Sequence, residues 1–307
     1  MAQTRTEALH KDAAGLDIQP ATTVLRLLAD AQIEAARAVS GAIGEIAQAA
    51  SMVAECLSSG GRVAYAAAGS SGLMALADGL ELPGTYGLAR DRIVILLAGG
   101  TGALSNLAGG PEDDAGQGAS DVADAGLSRG DCLIAVSASG STPYAVGALE
   151  EAKAKGLRTI AIANNPGSPV LEMADVAILL STPPEVIAGS TRMGAGTAQK
   201  IALNMLSTLA AIHLGHVHDG HMVNLHADNL KLRKRAAGIV AAIAGCGRDE
   251  AARLLDRADG AVKPAILLAA GAADIASAKQ LLAGTGHKLR PALAKLEGSA
   301  KLSSTRT

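Results

Sequence analysis

Three short loops hold most of the residues able to do chemistry. They are Ala68-Gly69-Ser70-Ser71-Gly72, Ser137-Ala138-Ser139-Gly140-Ser141-Thr142 and Gly189-Ser190-Thr191-Arg192. Each follows an apolar run and leads into a helical pattern. Small residues expose backbone N–H groups, hydroxyls add donors, and a helix start adds the positive end of its dipole. Together these make an anion cradle. No Walker lysine follows, which suits a phosphate already esterified to a small molecule. Ser and Thr at such places also serve as plain N-caps, but recurrence at three matching strand ends favours a ligand. The first loop reads AAGSSG and not GxGxxG, and no acidic residue closes a second strand, so no dinucleotide is expected. A second cluster, His213, His216, His218, His221 and His226, carries ligands suited to zinc or nickel. Surface or subunit-contact histidines account for it better, and neither metal nor cofactor is expected.

The loops need a scaffold to align them. Residues 62–67, 92–97, 131–136, 158–163 and 177–180 are short β-rich runs, apolar on both faces, as in a buried parallel sheet. Helical stretches at 71–80 and 144–155 lie between them. This alternation predicts a doubly wound α/β domain with a parallel five-stranded sheet, whose ligands gather at the C-terminal strand ends. Residues 21–58 carry three- and four-residue apolar spacing and predict N-terminal helices behind a polar, flexible or draped tail of residues 1–20. Residues 192–215 predict one long, largely buried helix. Beyond a charged stretch at 229–235, three helical patterns broken at Gly245–Gly247, Gly260 and Gly284–Gly286 predict a small helical domain. The expected boundaries are 1–50, 51–230 and 231–307.

Composition narrows the function. The 307 residues are 49% hydrophobic and 18% charged, with a net charge of −2. There is no Phe or Trp and only three Tyr, so the core must be Ala, Leu, Val and Ile. Without aromatic platforms or a basic face, nucleic acid is a poor partner. Cys56, Cys132 and Cys246 are scattered and odd in number, which fits a reducing cytoplasm. The N-terminus shows no apolar signal core, and no apolar run suits a membrane span.

An ordered series of motifs resembles the SIS (sugar isomerase) family and, within it, the N-acetylmuramic acid 6-phosphate etherases. The series begins with the first loop and Glu81-Leu82-Pro83-Gly84-Thr85-Tyr86-Gly87. It continues through Glu112-Asp113-Asp114, Ala138-Ser139-Gly140-Ser141-Thr142-Pro143-Tyr144 and Asn165-Pro166-Gly167-Ser168-Pro169. It ends with Pro184-Glu185-Val186-Ile187-Ala188-Gly189-Ser190-Thr191-Arg192-Met193 and the Ala195-to-Thr208 stretch. The resemblance implies removal of the D-lactyl ether from C3 of N-acetylmuramic acid 6-phosphate, by elimination and then hydration, in cell-wall sugar recycling. It places the catalytic glutamates on Glu81, the acid that protonates departing lactate, and Glu112, an acid/base partner for the C2 proton or the incoming water. Such chemistry needs one carboxyl protonated while another is ionised. Partial desolvation between Leu80 and Leu82 is expected to raise the pKa of Glu81, and Asp113 and Asp114 to act on Glu112.

Three cationic positions usual in the family are neutral here: Leu73, Ser141 and Gly194. Arg192 remains as the local cation near the third loop, with Glu185 a further acid/base candidate beside it. Tyr86 and Tyr144 are candidates for stacking on the sugar or donating a phenol hydrogen bond, or for core packing. An aldose–ketose phosphosugar isomerase and a non-catalytic sugar-phosphate sensor remain as alternatives on the same fold. The family's pairing habit implies a homodimer, with the helix of residues 192–215 beside the interface.

Overall fold

The β-rich runs become strands of one sheet in the computed structural model, which describes residues 5–225 and 230–304. Helices α1 (Ala21–Ala38) and α2 (Ile43–Ser58) lead into β1 (Val63–Ala67), α3 (Gly69–Tyr86) and β2 (Ile93–Leu97). Then come α4 (Ala115–Asp124), β3 (Cys132–Ser137), α5 (Pro143–Ala154), β4 (Arg158–Ala163), α6 (Pro169–Met173) and β5 (Val176–Leu179). The long α7 (Gly194–His213) precedes a two-stranded hairpin, β6 (Val217–His218) and β7 (His221–Met222). Five helices follow: α8 (Leu230–Ala244), α9 (Arg248–Arg257), α10 (Val262–Ala269), α11 (Ile275–Ala283) and α12 (Leu289–Ser304).

The sheet order is β2-β1-β3-β4-β5, and every pairing is parallel. Ala67 pairs with both Leu97 and Val136, so the loops after β1, β2 and β3 leave the sheet at one level. The chain turns one way from β1 to β2 and the other way from β3 onward, leaving its switch point between β1 and β3.

The chain divides into two compact units. One comprises residues up to Leu80 with Arg90–Leu209, the other Glu81–Ala89 with residues from Ala210 onward. This division is coarser than the three segments expected, and its cuts fall inside α3 and α7.

In the first unit, alternate strand residues Ala64, Ala66, Leu133, Ala135, Ala161 and Ala163 pack with Val122, Ala148, Leu149 and Val170 from the helices of one face. On the other face, the fully buried Tyr65 hydroxyl donates to Asp78 Oδ2 at 2.9 Å. Asn204 Nδ2 and Ser207 Oγ donate to Asp78 Oδ1 at 2.7 and 2.9 Å. One carboxylate thus ties β1, α3 and α7 together. The tail expected over residues 1–20 is docked where it is described. Thr6 N donates to Asn165 Oδ1 at 3.4 Å, and Thr6 O accepts from Gly189 N at 3.0 Å.

The second unit has its own core, in which Ile239, Val240, Leu254, Leu255, Ile266 and Leu267 meet. The three helical patterns expected here are five helices. The break between α10 and α11, at Gly271 (φ +101°), was not read in the sequence. Asp274 then caps α11 by accepting from Ser277 N at 2.7 Å. No described helix is long and apolar enough to cross a membrane.

Replacing Asp78 with Ala strands three donors, two buried and one half-buried, and loss of a network of this kind costs about 3 kcal/mol. Urea unfolding followed by circular dichroism is expected to show that loss for Asp78→Ala and a smaller one for Asp78→Asn.

Candidate active site at the strand ends

α3 begins two residues after β1, at Gly69, whose φ of +53° suits glycine. The space a side chain would fill there is taken by Glu112: a Cβ on Gly69 would lie 2.5 Å from Glu112 Oε1. The 3₁₀ turn Gly110–Asp113 thereby lays a carboxylate against the first hydroxyl loop, beside Ser70 and the buried Ser71. Glu112 is half-buried. Burial first, and the neighbouring Asp113 charge second, push its pKa above the ordinary carboxylate value.

The loop after β3 is a hydroxyl cluster centred on Ser137. Its Oγ is 2.8 Å from Thr142 Oγ1 and 3.2 Å from Ser139 Oγ, and it accepts from Gly140 N at 3.0 Å. Ser141 N donates to Ser139 Oγ at 3.2 Å. Thr142 occupies the N-cap of α5 but makes no side-chain cap bond, so the plain N-cap account fails at this position. Asn165 Nδ2 braces the loop through the Ala138 and Ser139 carbonyls at 3.2 and 3.3 Å. Gly140 has φ +73°, and a Cβ there would fall 2.1 Å from Ser168 Oγ. That Ser168 hydroxyl is buried without a hydrogen-bond partner.

The third loop differs from the other two. Glu185, 5% exposed, accepts from Gly194 N at 2.9 Å and Ala195 N at 2.8 Å. Both its oxygens are used on the N-terminus of α7, so this helix start meets a carboxylate from its own chain. Ser190 and Thr191 are half-buried, and Arg192 is exposed. Gly194 is packed in this cap: a Cβ there would meet Glu185 Oε2 at 3.0 Å and Ala35 Cβ at 3.3 Å. A lysine at position 194 would have to disturb the cap, whereas Leu73 is half-buried in α3 and Ser141 is exposed. Arg5, which donates to Ser181 Oγ, brings a second guanidinium to the strand-end side.

Glu81 lies on α3 and counts with the second unit, whereas Glu112 counts with the first. Glu81 is exposed, and Leu80 beside it is 61% exposed, so the desolvation expected from its neighbours is not present. Tyr144 is fully buried with its hydroxyl 2.5 Å from Asp121 Oδ2, which makes it a core residue unable to stack on a sugar. Tyr86 is half-buried, and its carbonyl accepts from Asn224 Nδ2 at 3.0 Å. His213 ends α7, and His218 and His221 sit on the β6–β7 hairpin. His226 lies outside the described residues. Among those described, no group of three or more His, Cys, Asp or Glu is placed to hold a metal ion.

A cleft of about 480 Å³ adjoins the Glu112 turn and is lined by Pro111, Asp114, Gln117 and Asp121 among others. Its two carboxylates make it hostile to a phosphate. Asn165 and Ser168 were not singled out as site residues in the sequence, because an asparagine and a serine there signal only a turn. Ser137 was read as the head of its hydroxyl loop, and the structure makes it both the last residue of β3 and the centre of that cluster.

The SIS domain family matches residues 115–209, and the glucokinase regulatory protein N-terminal SIS domain matches residues 45–153. An N-acetylmuramic acid 6-phosphate etherase of Deinococcus radiodurans is 40% identical over 95% of this chain and 96% of that protein. The chain belongs to the N-acetylmuramic acid 6-phosphate etherase family. Etherases of Symbiobacterium thermophilum (44% identical over 85% of this chain and 87% of that protein) and Cronobacter sakazakii (40%, 94% and 97%) agree. These matches run through all three loops and through Glu81 and Glu112, so this etherase-family chain carries the strand-end constellation within its matched length.

The Glu112 carboxyl is expected to titrate above an ordinary glutamate in ¹³C NMR of the labelled protein. Asp113→Asn should lower that value only part of the way, because burial is the larger cause.

Proposed function

We propose that this chain cleaves the D-lactyl ether of N-acetylmuramic acid 6-phosphate, giving N-acetylglucosamine 6-phosphate and D-lactate. The carrying observation is the Glu112 carboxyl held against Gly69 with a raised pKa, at the β1–β3 switch point. The identity with the etherases along nearly the whole chain supports the same reading.

Elimination needs a base for the C2 proton, acidified by the C1 aldehyde of the open-chain sugar, and an acid for the lactyl oxygen. Glu112 takes the C2 proton: a base with an elevated pKa is better matched to neutral pH. Glu81 protonates the C3 oxygen as the C3–O bond breaks, releasing lactate and leaving an unsaturated aldehyde. Water then adds at C3, giving a proton to the ionised Glu81, while Glu112 returns a proton to C2. Protons balance, and both carboxyls end as they began. The phosphate is assigned to the hydroxyl loops, Ser70 and Ser71 after β1 and Ser139, Gly140, Ser141 and Thr142 after β3. Ser190, Thr191 and Arg192 complete the site, with Arg192 as its cation. Glu185 supports the third loop as the cap of α7. The reading further places the protein in the cytoplasm as a homodimer. Exposed Leu25 and Ile33 on α1 and Ile43 on α2 support subunit pairing in the first unit.

Incubation with N-acetylmuramic acid 6-phosphate is expected to release D-lactate, and a coupled lactate assay should find that Glu81→Gln and Glu112→Gln each lower kcat by about 10²–10⁴. A folded wild-type protein that releases no lactate would leave the isomerase and sensor readings. Glu112 must be ionised to act as a base, so kcat/KM should rise with pH through its raised pKa. Asp113→Asn is expected to move that rise to lower pH.

A further inference from the structure

The second unit buries a lysine that the proposed reaction does not use. Lys263, in the first turn of α10, is 5% exposed. Its Nζ donates to the His287 carbonyl at 2.9 Å, which leaves two of its three N–H donors. Burial lowers its pKa to about 8, and no carboxylate among the described residues opposes that shift. An ammonium in this state is charged at neutral pH and has no counter-ion among the described residues. His216, whose pKa is lowered to about 4 by burial and then by the Lys263 charge, stays neutral beside it. One of its ring nitrogens, Nδ1, is buried without a partner.

Lys263 opens onto a cleft of about 360 Å³ within the same unit. Asn224 and His287 are its polar lining, while Val223, Leu225, Val262 and Leu282 stand behind it with almost no exposed surface. No acidic residue is among its described lining residues. A single buried cation in a cleft of this size matches one negative charge on a small body. A phosphate dianion needs several charged or N–H donors converging on it, and the described lining offers one lysine.

We propose that this cleft binds a small monocarboxylate, with its carboxylate on Lys263 Nζ and its body beside Asn224 and His287. The site stands independently of the etherase reading, although D-lactate belongs to the ligand class. A bound anion stabilises the charged lysine and the fold that holds it.

The test uses the full chain with butyrate, D-lactate and inorganic phosphate as probes, in calorimetry and thermal melting. Butyrate or D-lactate is expected to bind and raise the melting temperature. Lys263→Met and Lys263→Gln should weaken that binding at least about tenfold, and Lys263→Arg should retain it. On the wild-type protein, ¹³C NMR of lysine Cε should show the lysine with a pKa near 8 titrating higher with butyrate present. The proposal is overturned if neither carboxylate binds, if Lys263→Met binds them unchanged, if phosphate binds as tightly as butyrate, or if the lysine titration stays put.

Discussion

Leaving β1 in one direction to build β2, the chain returns on the other side to build β3, and the two outgoing loops flank the crevice this opens. Parallel pairing sets the strand ends level, with Ala67 opposite Val136. The hydroxyls of the two loops therefore face one region without any long-range adjustment. The Gly110–Asp113 turn, reached through β2, adds the carboxylate. The asparagine brace, the Asp78 tie and the docked N-terminal turn all hold this edge of the sheet in place.

Much of this arrangement was legible in the residues. Strands apolar on both faces admit only a sheet covered on both sides, and the five runs matched the strands to within about a residue. The first two hydroxyl loops lie directly after their strands as read, whereas the third leads to a helix start that Glu185 caps. Other features were hidden because they depend on contacts far apart in sequence. Glu185 and Gly194 are nine positions apart, yet only the folded turn shows the carboxylate closing the helix start. The exposure of Glu81 depends on where α3 points, which its apolar neighbours Leu80 and Leu82 misrepresent. Tyr144 lay within a matched motif and still proved to be core, since its partner Asp121 sits 23 residues away on α4.

The neutral positions are not equivalent once placed. Gly194 is bound up with the Glu185 cap, so loss of a cation there accompanies a different use of the helix terminus. Ser141 stands exposed and leaves its loop uncharged. Arg5 and Arg192 supply positive charge on the strand-end side from other points in the chain, and a doubly anionic substrate needs some such source.

The scarcity of aromatic rings has a spectroscopic side. With no tryptophan, the ultraviolet signal rests on three tyrosines, and two of these phenols are locked onto carboxylates on opposite faces of one sheet. Burial and the adjoining Asp78 and Asp121 charges push both well above an ordinary phenol. Neither ring can yield tyrosinate while its half of the sheet packing stays closed. The alkaline absorbance of these two rings is thus a built-in gauge of whether the layers on either side of the sheet have come apart.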